Sequence, residues 1–344
     1  MRDTSKLQKL LIIKYNPPPY HGVVKMMEIA ADSDVLALNF KITQFNILTA
    51  KSAEKRGSLS FINIFYNLLN LLRYIIKLIL VKPDIVYMSL AQNTFGFLRD
   101  SFFILTAKLL RAKICAHFHA GDFDKNYETK GKYYKDYISF IFTKVDRLIV
   151  LAEKFKSQFY NLLDKGKIFV LYNCLPSKSI GIISEEQKDK NIFRILFIGY
   201  LSKAKGALDI VKSIPIIRSK YKGRFEFVLC GSPVDIERNV TYIQYPHFGY
   251  TKMCEFIKNN NLQDYVKLLG YVNSSMKDEL FKTSDIFILP SYSEGCGIAA
   301  LEAMEYGLPL VITNRSALEE MLCEGENAFF IEPGDYKALA DRLL

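Results

Sequence analysis

Short apolar runs rich in β-branched residues recur along the chain, with longer mixed stretches between them. In the first half they include Leu10-Leu11-Ile12-Ile13, Asp84-Ile85-Val86-Tyr87, Lys113-Ile114-Cys115-Ala116 and Arg147-Leu148-Ile149-Val150. From Phe193 onward the pattern resumes in Arg194-Ile195-Leu196-Phe197, Phe225-Glu226-Phe227-Val228, Asp285-Ile286-Phe287-Ile288 and Pro309-Leu310-Val311-Ile312. Runs that are apolar at consecutive positions suit strands buried on both faces, and their alternation with helices predicts α/β architecture with parallel sheets. Between the halves, Pro176 to Asn191 gathers Ser, Gly and a charged run and reads as a linker. Each half opens alike, with a buried strand, a Gly-containing loop and a helix: Leu11 to Ala30, and Ile195 to Ile214. Two Rossmann-like domains are expected, 1–178 and 179–344. Ligands of such sheets sit beyond the carboxyl ends of the strands, so two facing domains predict an interdomain cleft.

One segment breaks the pattern. Phe61 to Val81 is almost wholly apolar, interrupted by Asn63, Asn67, Asn70, Arg73 and Lys77. That spacing of three or four residues predicts a helix with one polar stripe and a very broad apolar face. The interruptions argue against a membrane-spanning helix. Two readings stay open: a helix packed on the first sheet, or one resting on an anionic membrane surface, with Lys51, Lys55 and Arg56 just upstream.

Composition narrows the function classes. Half of the 344 residues are hydrophobic and 24% are charged, which excludes a disordered tail protein. The net charge of +10 directs attention to anionic partners, namely nucleic acid, an anionic leaflet or a phosphorylated small molecule. No zinc spacing or base-stacking module accompanies the dispersed basic residues, so nucleic acid is not an expected partner. The six cysteines are scattered without dithiol or zinc spacing, and Met1 to Leu10 lacks a signal-peptide core, so a cytoplasmic protein is expected.

The richest segment for chemistry runs from Leu289 to Pro309. A strand is followed by a turn holding Gly295 and Gly297, then by an Ala-rich helix. Glycines permit close backbone approach, and the N–H groups and dipole at a helix start favour a phosphate. Glu294 precedes that helix and Glu302 lies within it; taken alone, Glu302 reads first as an ordinary helical glutamate. In the first half His117-Phe118-His119-Ala120-Gly121-Asp122 follows a strand, and alternation puts His117 and His119 on one face. His119 suits a sugar hydroxyl or a strand-end cap. His117, His119 and Asp122, or Asp122-Phe123-Asp124, have the identities of metal ligands, but identity without geometry is a weak warrant and no metal is expected.

The segment from Glu294 to Pro309, continuing through Glu319 and the Asn327 to Asp335 stretch, resembles the C-terminal signature of retaining family 4 glycosyltransferases of the GT-B fold. Phe197-Ile198-Gly199-Tyr200-Leu201 with Lys205-Gly206 is similar to that family's diphosphate-binding strand end. Pro17 to Val23 resembles its N-terminal glycine loop, with His21 in place of one glycine. The resemblance implies a nucleotide-diphosphate sugar, UDP-sugar foremost, as donor substrate with no cofactor, and a surface-glycan or lipid-linked acceptor. It implies that Glu294 contacts the donor sugar, Glu302 the ribose, the amides of Gly297 and Ile298 the phosphates, and Lys205 the diphosphate. Gly22 and Gly199 would approach the donor, and His119 would stand near the reacting centre. Tyr200 replaces a family arginine, Cys296 an aromatic residue and Cys174 a common glycine. These departures keep open a second expectation, a catalytically silent GT-B partner subunit that binds glycan or another transferase.

Overall fold

The computed structural model describes residues 7–15, 22–48, 61–176, 191–233 and 249–344. The loop at Pro17 to His21 and most of the expected linker lie outside the described residues. The chain divides into two compact units, with Cys174 the last residue of the first unit's main segment and Leu175 the first of the second.

In the first unit the order is β1 Gln8–Tyr15, α1 Gly22–Ala31, α2 Asp34–Asn39, β2 Phe40–Ile47, α3 Phe61–Val81, β3 Ile85–Leu90, α4 Thr94–Leu109, β4 Lys113–Phe118, α5 Phe123–Glu128, α6 Lys132–Phe142, β5 Arg147–Val150 and β6 Ile168–Val170. Six parallel strands form one sheet in the order β2-β1-β3-β4-β5-β6. Leu11 and Ile12 are adjacent in β1, point to opposite faces, and are both fully buried, as a sheet covered on both sides requires. The last strand ends at Val170, four residues before Cys174.

The second unit runs β7 Ile192–Ile198, α7 Ala207–Lys220, β8 Arg224–Cys230, α8 Gly249–Asn259, β9 Val266–Gly270, α9 Ser274–Thr283, β10 Ile286–Leu289, α10 Ile298–Glu305, β11 Leu310–Thr313, β12 Ala328–Ile331 and α11 Tyr336–Arg342. Its six parallel strands are ordered β12-β11-β10-β7-β8-β9. The chain moves outward from β7 to β9 and then returns to the other side of β7 with β10. The order therefore reverses between β7 and β10, the position beyond which ligands of open α/β sheets bind.

The helix expected over 61–81 is α3; Asn70 and Arg73 of its polar stripe face inward, whereas Asn67 is exposed. Asn70 is fully buried; its side chain accepts from the Leu48 amide at 2.9 Å and donates to the Leu48 carbonyl at 2.8 Å. Arg73 donates to the Asn46 carbonyl and lies over the Phe45 ring. Tyr74 is buried against Phe45 and Phe103, with ring centroids 5.3 and 4.8 Å away. The stripe that a surface helix normally offers to water thus satisfies the end of β2, since buried polar groups need hydrogen-bond partners. The apolar arc is left outside, with Phe65, Leu68, Leu72, Ile76, Ile79 and Leu80 all exposed.

Candidate functional site

Three glycines and two loops shape the β7/β10 reversal. After β7, the Gly199 amide donates to the Cys230 carbonyl at 2.9 Å, keeping the strand end in register with β8. Gly206 has φ +73° and starts α7; a Cβ there would stand 2.2 Å from the Pro290 carbonyl oxygen. Only glycine allows the loop after β7 to pass this close to the loop after β10. The Tyr292 amide donates to the Ala204 carbonyl at 2.8 Å and stitches the two loops together. Gly297, φ +69°, starts α10, where a Cβ would meet the Leu289 side chain at 2.9 Å. Neither α7 nor α10 has a side-chain cap. Two helix starts therefore flank one reversal point with their first amides uncapped by side chains, the arrangement that favours an anion.

The charged residues of the sequence motifs meet at this place. Lys205 and Glu294, 89 residues apart, form an ion pair with Nζ 2.5 Å from Oε2 and side-chain exposures of 24% and 17%. Ser291 Oγ reaches the same carboxylate oxygen at 3.5 Å. The backbone on either side of Glu294 is fixed, because Thr313 Oγ1 donates to the Ser291 carbonyl at 2.6 Å and the Ala317 amide donates to the Gly295 carbonyl at 2.9 Å. In the first turn of α7 the buried Asp209 is hydrogen-bonded to the Tyr292 side chain; burial raises its carboxyl above the usual range, and that bond opposes the shift. Tyr200 is 45% exposed and Cys296 is buried.

Glu302 lies one turn into α10, the helical position expected, and is buried. Lys277 from α9 forms an ion pair with its carboxylate. A buried carboxylate needs such a partner. The sequence reading missed Lys277, and nothing local distinguishes it from other helical lysines.

In the first unit His117 and His119 share a face as the alternation predicts, with ring centroids 3.9 Å apart. His117 is buried, its Nδ1 2.6 Å from the Tyr87 hydroxyl. Burial, and then the neighbouring His119, hold its imidazole well below the usual pKa of 6.5, so it stays neutral. His119 stands just past the end of β4, half-buried, and Gly22 is the half-buried first residue of α1. Among the described residues no group of three His, Cys, Asp or Glu is placed to hold a metal ion. A second feature that sequence reasoning missed ties the strand ends together. Asp100, fully buried, accepts from the Ala91 amide at 2.8 Å and pairs with Arg99 at 2.6 Å, and Arg99 also bonds the Tyr15 hydroxyl. This network fixes the ends of β1 and β3, and Gln92 adds a bond to the Asp122 carbonyl at 2.9 Å.

Comparison with known proteins fits this geometry. Residues 181–344 match the family model described as glycosyl transferases group 1. The 2-deoxystreptamine N-acetyl-D-glucosaminyltransferase of Niallia circulans is 25% identical over 205 residues, 57% of this chain and 48% of the relative. The capsular polysaccharide biosynthesis glycosyltransferase CapM of Staphylococcus aureus is 24% identical over 208 residues, 57% of this chain and 50% of the relative. The matches thus span about half the length of these curated relatives. Among solved structures, the lipopolysaccharide outer core galactosyltransferase WaaB in its apo form superposes with TM-score 0.65 at 16% identity, covering 98% of this chain and 89% of that one. Anabaena HepE in complex with UDP and glucose gives TM-score 0.67 at 15% identity, with the same 98% and 89% coverage. Residues 181–344 thus match the glycosyl transferases group 1 model, and the fold is shared with these solved structures over 98% of the chain.

Proposed function

We propose that the chain is a cytoplasmic, retaining, metal-independent glycosyltransferase that moves a sugar from a nucleotide-diphosphate sugar to a hydroxyl of a surface-glycan or lipid-linked acceptor. The observation that carries this reading is the Lys205–Glu294 pair at the strand-order reversal, beside two helix starts without side-chain caps. An ammonium and two helix dipoles at one reversal point suit a diphosphate, the group that accumulates charge as the glycosidic bond breaks. UDP as the nucleotide is supported by the structural neighbour that holds it, and a glycan acceptor by relatives named for capsule and lipopolysaccharide synthesis.

In this reading Lys205 exchanges or shares its contact with Glu294 when the diphosphate arrives, since an ammonium has three donors and the incoming group is the stronger anion. Glu294 is then oriented toward the sugar. Glu302, held by Lys277, accepts from the ribose hydroxyls, and the amides of Gly297 and Ile298 serve the phosphates, with Gly199 and Tyr200 lining the nucleotide side. His119 and the loop at Gly22 are assigned to the first unit's share of donor and acceptor contacts. The leaving diphosphate is neutralised by Lys205 as the acceptor hydroxyl attacks the same face of an oxocarbenium-like sugar, and configuration is retained.

The test is nucleoside diphosphate release from a panel of nucleotide sugars, by the wild type and by Glu294→Ala, in metal-free buffer. The proposal expects turnover with a UDP-sugar that the variant loses, and an NMR spectrum of the product with retained anomeric configuration. Background release by both proteins would instead identify the silent partner subunit.

A further inference from the structure

The outward face of α3 has no place in the transfer chemistry and is the largest unexplained feature of the first unit. Its Asn70 and Arg73 are turned inward and bonded at the end of β2 while Asn67 is exposed, and Phe65, Leu68, Leu72, Ile76, Ile79 and Leu80 are between 53% and 76% exposed. The neighbouring α4, which packs beside α3, adds Phe102 at 53% and Leu109 at 83%. From the side-chain sizes this patch is on the order of 800 Å², larger than the biggest apolar patch of an ordinary monomer. On the two helices the exposed charge has one sign: within 61–81 and 94–111 the only carboxylate is Asp100, which is fully buried, whereas Arg111 is exposed and Lys77 is half-buried, and just past α3 Lys82 and Asp84 are both exposed. Lys51, Lys55 and Arg56 precede the helix in sequence.

We infer that the outer face of α3, with the adjoining edge of α4, docks on an anionic lipid bilayer. A helix of 21 residues is about 30 Å long and presents an apolar stripe along that whole length. A planar surface with an apolar interior and anionic headgroups matches both the stripe and its cationic surroundings. A second copy of the chain matches less well, because a two-fold contact would bring cations against cations with no exposed carboxylate on either pair of helices. The helix does not cross the bilayer, although Ile64–Val81 is long and apolar enough to do so by length and composition. Asn70, Arg73 and Tyr74 are engaged with β2 and the core, and spanning would strip these bonds. The inference does not rest on the transfer reaction.

The experiment is flotation of the full chain with vesicles of phosphatidylglycerol and phosphatidylcholine, beside vesicles of phosphatidylcholine alone. Binding to the anionic vesicles at low salt is expected, weakened at high salt and on neutral vesicles. The double variant Leu72→Glu/Ile76→Glu changes two exposed positions and should retain the wild-type thermal melt while losing at least tenfold in binding. Lys82→Glu/Arg111→Glu, which leaves the apolar stripe intact, should weaken binding to anionic vesicles only, by about fivefold or more for each altered charge. Failure to float with anionic vesicles would overturn the inference, as would equal flotation of wild type and both variants. So would resistance to alkaline carbonate extraction, which marks a spanning helix. A wild-type dimer in sedimentation that Leu72→Glu/Ile76→Glu converts to monomer would assign the face to a second copy instead.

Discussion

The two halves are built on six parallel strands each, and both reverse strand order beside their first strand, yet different chemistry stands at the strand ends. In the second unit the reversal carries charge: Lys205 with Glu294, and Lys277 with Glu302 nearby. In the first unit the described strand ends carry the neighbouring imidazoles of His117 and His119, the first held neutral by burial, and a buried network of Tyr15, Arg99 and Asp100. The surfaces differ as well, since α3 turns Asn70 and Arg73 toward β2 and leaves a row of apolar side chains exposed. A shared topology therefore dictates where a ligand can sit, while the side chains delivered to those positions decide what it is. At the second reversal the ion pair lies beside two helix starts without side-chain caps. At the first unit's strand ends the charges of Arg99 and Asp100 are paired with each other.

The sharpest way to break this contrast is Lys205→Ala. With the ammonium gone, the leaving diphosphate loses its main charge partner, and kcat for sugar transfer should fall by about 10²–10³. A fall below tenfold would remove the charged centre from the account. Lys277→Met comes next. It leaves the buried Glu302 without its cation, so nucleotide affinity should drop by about tenfold, with KM rising more than kcat falls; equal falls in kcat and kcat/KM, with KM unchanged, would mean that the pair acts in the transition state instead. His119→Phe removes one hydrogen-bonding ring from the first unit and should cost about tenfold or less in kcat/KM. A loss as large as that of Lys205→Ala would erase the distinction between the halves.

The smallest effect concerns stability. The native His117 binds a proton only far below pH 6.5, whereas the unfolded chain binds it near 6.5. The neutral ring is favoured by the folded state, so its contribution is fully present above pH 6.5 and declines as the pH falls. The slope approaches about 1.4 kcal/mol per pH unit. Denaturant unfolding of the wild type and His117→Phe at neutral and mildly acidic pH should show a shallower decline for the variant, and parallel declines would contradict the assignment.

Much of this arrangement is legible in the sequence. The central strands β1, β3, β4, β7, β8, β10 and β11 coincide with the consecutive apolar runs, because a strand buried on both faces must be apolar at every position. The edge strands β2 and β9 escaped notice for the converse reason. Phe40–Ile47 mixes Lys41, Thr43, Gln44 and Asn46 into its run, and Val266–Gly270 is short with exposed positions. Motif residues at the second reversal, Gly206, Lys205, Glu294 and Gly297, stand in loops just after strands as the pattern implies. Their pairing does not follow from the pattern. Lys277 lies 25 residues before Glu302, and Arg99 lies 84 residues after Tyr15; such partners are chosen by tertiary packing. The orientation of α3 was likewise undecided, because periodicity locates a polar stripe without saying which side water occupies.

The central claim is that the charged reversal of the second unit, and not the histidine-bearing end of the first, holds the diphosphate. Calorimetric titration of UDP into the wild type, Lys205→Met and His119→Phe tests it most directly. The account predicts measurable binding by the wild type, at least tenfold weaker binding by Lys205→Met, and little change for His119→Phe. Equal affinity in the wild type and Lys205→Met, or a loss confined to His119→Phe, would contradict it.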